Sequence, residues 1–204
     1  MIIKTFTKPP IDNNNYLVID EESKEAVLVD CSGLGISDDI RSVLKEYGAE
    51  IKYILLTHGH FDHICGLRPN NDIKVVMHKS DLDLLKQVNQ YLPMFGIPDM
   101  TIPNIDIFVD DGDIIKLGNI DIKVLHTPGH TQGGVSYLIN NALFSGDTIF
   151  RECVGRCDLE GGDFAQLTAS IEEKIFTLPD ETEIFPGHGQ QTTVGWEKTH
   201  NQFV

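Results

Sequence analysis

Residues 57 to 63 read Thr57-His58-Gly59-His60-Phe61-Asp62-His63, which places three imidazoles and a carboxylate within six positions. From this chain's own composition, a chance His-x-His-x-Asp-His has odds on the order of one in a thousand. Imidazoles crowded this closely repel one another when protonated, and a bound cation stabilises their neutral, ligating form. The cluster follows the apolar run Tyr53-Ile54-Leu55-Leu56, which has the character of a strand buried on both faces. A polar cluster fixed to the end of a buried strand constrains the fold as much as the chemistry.

Two further clusters repeat that placement. Thr127-Pro128-Gly129-His130-Thr131 follows a strand ending near Leu125, and Phe185-Pro186-Gly187-His188-Gly189 follows the strand Glu183 to Phe185. Between them, Ser145-Gly146-Asp147-Thr148 exposes an aspartate at another strand end. Two residues apart on an extended or tightly turned segment, His58 and His60 can chelate one ion. After the chain turns, Asp62 and His63 suit a second ion. Asp147, with two oxygens, can bridge the pair, and His130 and His188 complete the two shells. Seven nitrogen and oxygen ligands without a thiolate suit two divalent ions, zinc first, with iron or manganese as alternatives.

The rest of the chain alternates strand and helix signals. Ile2 to Thr7, Tyr16 to Ile19 and Ala26 to Val29 read as strands separated by Asn/Asp/Glu turns. Ser37 caps a helix whose stripe is Ile40, Val43, Leu44 and Tyr47, stopped by Gly48. Val75 to Met77 is another strand, followed by a helix from Ser80 to Val88. Further on come strands at Ile114 to Lys116, Ile120 to Leu125, Gly134 to Ile139 and Ala142 to Phe144, with positive-φ hairpin turns at Gly118-Asn119 and Asn140-Asn141. A helix from Asp163 to Phe176 and a closing turn at Trp196 to His200 finish the pattern. Two packed sheets with helices on their outer faces fit this order. The stretch Asn89 to Ile107, rich in apolar residues and proline, is either a functional lid or a surface excursion packed on its own side chains.

Composition narrows the function. The chain has 204 residues, enough for one domain spanning 1–204, and its 16 Lys+Arg against 31 Asp+Glu give a net charge of −15. That excess argues against nucleic-acid binding, which neutralises phosphates with cations. No apolar run approaches ~20 residues, so no membrane span is expected. The N-terminus shows no basic and apolar leader, so a cytoplasmic protein is expected, with Cys31, Cys65, Cys153 and Cys157 as free thiols.

Taken in order, Thr-His-Gly-His-Phe-Asp-His, Thr-Pro-Gly-His-Thr, Ser-Gly-Asp-Thr and Pro-Gly-His-Gly resemble the metallo-β-lactamase-fold hydrolases, over nearly the whole chain. The segments Gly146 to Phe150, Gly155-Arg156, Asp158-Leu159, Gly161 to Asp163 and Glu197 to Phe203 resemble the compact glyoxalase II-like (hydroxyacylglutathione hydrolase-like) branch. The resemblance implies an α/β fold, an αββα sandwich of two mixed sheets flanked by helices. It implies one ion held by His58, His60 and His130, a second held by Asp62, His63 and His188, and Asp147 bridging. Asp62 and Asp147 are then the catalytic carboxylates. The implied activity is hydrolysis of a small-molecule thioester such as an S-acylglutathione.

The chain departs from the full-length glyoxalase II pattern in ending about fifteen residues after His188 and in carrying Asp158 where an aromatic contact is expected. Arg156 occupies the position of a basic glutathione contact and can equally pair with Asp158 or Glu160. The apolar loop from Tyr91 to Met100, with Met94 and Phe95, is the candidate for the opposite wall of the pocket. Competing readings are a mononuclear iron persulfide dioxygenase using His58, His130 and Asp147, a lactone or ester hydrolase on the same fold, β-lactam hydrolysis, and a non-catalytic metal-binding module. Asp30 is either a partner that orients a ligand histidine or a turn former. Cys65 is a small buried thiol, Thr57 and Thr131 anchor loops, and His78, His126 and His200 are structural.

Overall fold

The computed structural model describes residues 1–33, 35–68 and 73–204. One six-stranded sheet runs in the order β1 (Ile2–Lys8), β2 (Asn13–Ile19), β3 (Glu25–Val29), β4 (Glu50–Leu55), β5 (Lys74–His78) and β6 (Ile107–Val109). Its first two pairings are antiparallel and the next three parallel. The second sheet has the spatial order β14, β13, β10, β9, β8, β7. Its strands are β7 (Ile114–Leu117), β8 (Ile120–His126), β9 (Val135–Ile139), β10 (Ala142–Gly146), β13 (Glu183–Pro186) and β14 (Thr192–Thr193). A two-stranded ribbon of β11 (Ile149–Phe150) and β12 (Cys153–Val154) follows β10.

Strand periodicity sorts the apolar side chains into three layers. Along β2, Leu17 and Ile19 join Leu28, Ile40 of α1 (Asp38–Tyr47) and Leu85 of α3 (Leu82–Gln87) in one outer core. The alternate residues Tyr16 and Val18 join Val27, Val29, Tyr137, Phe144 and Phe185 between the sheets. Beyond the second sheet, Leu143 and Ile184 pack on Leu167 of α4 (Phe164–Ser170) and on Ile171 and Ile175. Helix, sheet, sheet and helix therefore stack as an αββα sandwich of two mixed sheets.

The structure revises several boundaries. β2 begins at Asn13, three residues before the expected start, because Asn13, Asn14 and Asn15 are buried strand residues with satisfied amides rather than a turn. The expected helix Asp163 to Phe176 is α4 followed by a single π turn, Ile171–Ile175, and Phe164 of its stripe is exposed. The helix expected from Ser80 is shorter, with 3-10 turns at Lys79–Asp81 and Val88–Gln90 flanking α3. Gly118 and Asn140 hold the positive φ expected of them, and Gly48 ends α1 as expected, in the left-handed conformation. The closing turn is α5 (Val194–His200), capped by the Thr193 side chain.

Candidate metal centre

Ligand-type side chains arrive from both sheets at one edge of the sandwich. His58 and His60 lie in the loop after β4, and Asp62 and His63 in a one-turn helix, α2 (Phe61–Ile64), which the sequence reading had treated only as a turn. His130 follows β8, Asp147 follows β10 and His188 follows β13. A side chain at Gly187 would collide with Asp147 and His63, so only glycine allows the two strand ends to meet this closely.

All seven expected ligands converge. His58 Nε2 lies 3.1 Å from His60 Nδ1, which lies 2.9 Å from His130 Nε2. Two imidazole nitrogens on one tetrahedral zinc would stand about 3.3 Å apart, from metal–nitrogen distances near 2.05 Å. The second group is Asp62, His63 and His188, with Asp62 Oδ2 3.3 Å from His63 Nε2 and 3.1 Å from His188 Nε2. Asp147 sits between the groups, with Oδ1 3.3 Å from His63 Nε2 and Oδ2 3.6 Å from His130 Nε2. Its buried Oδ1 has no hydrogen-bond partner among the described residues. A buried carboxylate oxygen left without a donor carries a desolvation cost that a cation would remove.

The surrounding partners set the ring orientations. His63 Nδ1–H donates to Asp30 Oδ2 at 2.7 Å, and His130 Nδ1–H donates to the Arg156 carbonyl at 2.6 Å, which turns Nε2 of both rings toward the cluster. Asp30, one of two readings in the sequence, is thus the orienting partner, and it also accepts the Thr57 N–H and hydroxyl. Thr131 anchors its loop on Asp81, a residue the sequence reading passed over. The Asp81 carboxylate is 1% exposed. Its Oδ2 accepts from the Gly59 N–H (2.9 Å) and the Thr131 hydroxyl (2.7 Å), and its Oδ1 accepts from the Gly133 N–H (2.6 Å). It therefore knots the His58–His60 loop to the His130 loop. Asn13, equally unread, places its amide nitrogen 3.0 and 2.8 Å from the two ring nitrogens of His63. Asn14 holds the His188 loop through the Pro186 and Gly189 carbonyls.

Electrostatics divide the cluster. Burial and the neighbouring imidazoles push the His58 pKa well below its ordinary value and that of His60 down to about 4, so both rings are neutral ligands at neutral pH. Burial also works against a charged His63, but Asp62, Asp30 and Asp147 override it and raise its pKa. His188 is raised likewise, chiefly through Asp62. Burial favours protonated carboxyls at Asp62 and Asp147, yet the adjacent imidazoles hold both below the usual range. This half is a carboxylate pocket that retains positive charge, whether a proton or a metal ion supplies it.

The site opens into a cavity of about 300 Å³. Tyr91, Met94 and Phe95 of the expected wall line it with Arg156, together with Phe61 and Leu84, which the sequence alone does not assign to the pocket. Arg156 makes a two-pronged pair with Asp158, Nε and one terminal nitrogen each 2.7 Å from a carboxylate oxygen. The loop carrying Met94 is anchored by Phe61, whose ring stacks on Phe95 (4.7 Å) and on Tyr91 (5.9 Å). Elsewhere His78 and His126, read as structural, stack at 4.3 Å beside Asp110, with His78 Nδ1 accepting from the Ser80 N–H. All four cysteines are free, and Cys65 sits in the outer core.

Compared with known proteins, residues 9–188 match the Metallo-beta-lactamase superfamily. Hydroxyacylglutathione hydrolase GloC of Haemophilus influenzae is 32% identical over 216 residues, spanning 100% of this chain and 98% of that protein. Among solved structures, BLEG-1 B3 metallo-beta-lactamase superposes with a TM-score of 0.87 at 36% identity, covering 99% of each chain. TTHA1623 in a di-iron-bound form gives a TM-score of 0.82 at 33% identity, covering 100% of each.

Proposed function

The chain belongs to the metallo-beta-lactamase superfamily, and from that premise we propose that it is a binuclear metallohydrolase of the glyoxalase II-like branch that cleaves a thioester. The observation that carries this reading is the pair of ligand triads, His58/His60/His130 and Asp62/His63/His188, with Asp147 facing both and one of its oxygens lacking a donor. The donor set fits two divalent ions, zinc first, and the di-iron form of TTHA1623 supports a two-ion site that also accepts iron. When bound, such ions acidify a shared water and polarise a carbonyl oxygen.

The chain's own groups supply the rest. Asp62, on the cavity wall, orients the attacking water through its carboxylate. The Asp30–His63 and Arg156 carbonyl–His130 hydrogen bonds keep the ligand rings from swinging during the reaction. Water adds its oxygen to the acyl carbon, the carbon–sulfur bond breaks, and the products are a carboxylate and a thiol. A thiol has a pKa near 8.5, so its thiolate departs without a dedicated acid. The GloC relative, named for acylglutathione hydrolysis, supports the thioester assignment.

The extended ligand set, with Pro186 to Gly189 intact, favours the two-ion form over a single-iron dioxygenase site of His58, His130 and Asp147. Elemental analysis with an activity panel tests the reading. About two ions per chain with thioester turnover is the expected result. One iron per chain with oxygen uptake on a persulfide, or β-lactam turnover without thioester turnover, would overturn it.

A further inference from the structure

Among the described residues, five large apolar side chains left exposed by the fold, Ile11, Tyr91, Met94, Phe95 and Leu159, line the cavity at the ligand cluster. Exposed apolar side chains are ordinary when scattered; gathered on one wall beside a reactive centre, they mark a binding surface. Met94 is 77% exposed and Phe95 44%, yet the segment that carries them is fixed. Phe61 stacks on Phe95 and Tyr91, and the Asn89 side chain bonds both the N–H and the carbonyl of Met100, closing the base of the loop. The wall is formed before any ligand arrives, and little ordering entropy remains to be lost on binding.

The charges around the cavity point the same way. Among the described residues, Arg156 is the one lysine or arginine that lines it, and Asp158 already offsets that charge. Glu160 adds a further carboxylate at the rim. A carrier with several carboxylates meets no unpaired cationic side chain here.

We infer that the substrate presents an apolar acyl group of several carbons to the Phe61–Tyr91–Met94–Phe95 wall, on a thiol carrier without net negative charge. This rests on the thioesterase reading and narrows it. It moves the substrate away from small hydroxyacyl groups and from glutathione.

The test compares acetyl and hexanoyl thioesters of neutral N-acetylcysteamine and of glutathione on the metal-loaded protein. Partial burial of four added methylenes predicts a hexanoyl-to-acetyl ratio in kcat/KM of about tenfold or more. Met94→Ala combined with Phe95→Ala brings that ratio below about threefold. Met94→Ala alone, which leaves the Phe61–Phe95 stack in place, lowers the ratio part of the way. Between about 10 mM and about 300 mM salt, kcat/KM on the glutathione thioester rises as repulsion is screened, while the neutral thioester stays flat. Binding of the inert thioethers S-hexyl- and S-ethyl-N-acetylcysteamine, measured by calorimetry, follows the same order. Equal rates on both acyl groups, or a glutathione preference that weakens with salt, would overturn the inference and leave the thioesterase reading intact. Absence of all thioester cleavage removes both.

Discussion

Replacing Asp81 tests whether one buried carboxylate holds two ligand loops in register. Asp81→Ala leaves the N–H groups of Gly59 and Gly133 without their acceptor, while the Thr131 hydroxyl can rotate to another. A buried donor left unsatisfied costs about 1–3 kcal/mol, so two cost about 2–6 kcal/mol. A chain of this size loses about 2–4 °C of melting temperature per kcal/mol. Asp81→Asn is the gentler probe. Its amide keeps the volume and one oxygen but must turn a donor toward an N–H, which predicts about 1–3 kcal/mol. The loss concentrates on the His58/His60/His130 set, because both released loops carry its ligands. Misorienting a ligand shell typically weakens a metal by 10–100-fold. Chelator competition in Asp81→Asn should show one ion at near wild-type affinity and the other weakened by about that factor. Asp83→Asn, whose carboxylate pairs with exposed Lys86, serves as the control and should change neither. Two ions bound at wild-type affinity in Asp81→Asn, with an unshifted melting temperature, would refute the knot.

The other predictions are independent of that loop. Asp30→Asn leaves one acceptor oxygen for the Thr57 N–H and the His63 Nδ1–H, which now use two, and should weaken the ion of the Asp62/His63/His188 set by about 10–100-fold, measured by the same competition. Burial pushes the Cys31 thiol from 9.0 up to about 12. The folded state therefore resists ionisation, and the stability it confers is intact below pH 9 and lost as pH rises toward 12, at about 1.4 kcal/mol per unit. Urea titrations at about pH 8 and about pH 10.5 should show a shallower alkaline loss in Cys31→Ala than in wild type, and equal losses would contradict this. A thiol reagent at neutral pH should label Cys153 and Cys157 in the native protein and reach Cys31 and Cys65 only after unfolding, since only the latter pair is buried.

The ligand set was readable in the sequence because its signal is local: His-x-His-x-Asp-His and the Gly-flanked His130, Asp147 and His188 are short motifs at strand ends. Two packed sheets were readable because Ile120 to Leu125 alternates and Tyr53 to Leu56 is apolar throughout, as in a strand covered on both faces, while the αββα order came with the family resemblance. Asp81 was not, because its partners lie 22, 50 and 52 residues away, and a lone aspartate at a helix start reads as a cap. Asn13 to Asn15 were mistaken for a turn because asparagine disfavours strands; here the strand is held by side-chain amides that find partners in other loops. Phe61 was hidden inside the histidine motif, where its ring, stacked on Phe95, belongs to the pocket rather than to the ligands.

Each ligand triad draws two members from the first sheet and one from the second, so neither sheet alone contains a complete set. Asp62 and His188, in contact within one triad, are separated by 126 positions of chain, and closing so long a loop precedes any reward from the contact it makes. A folding intermediate with only one sheet formed has no complete coordination shell, and ion capture becomes a late event, after the sheets dock. The ion then reports on docking itself: it slows dissociation of the two sheets more than fraying within either one. Kinetic resistance to unfolding, rather than refolding speed, is where metal loading should register.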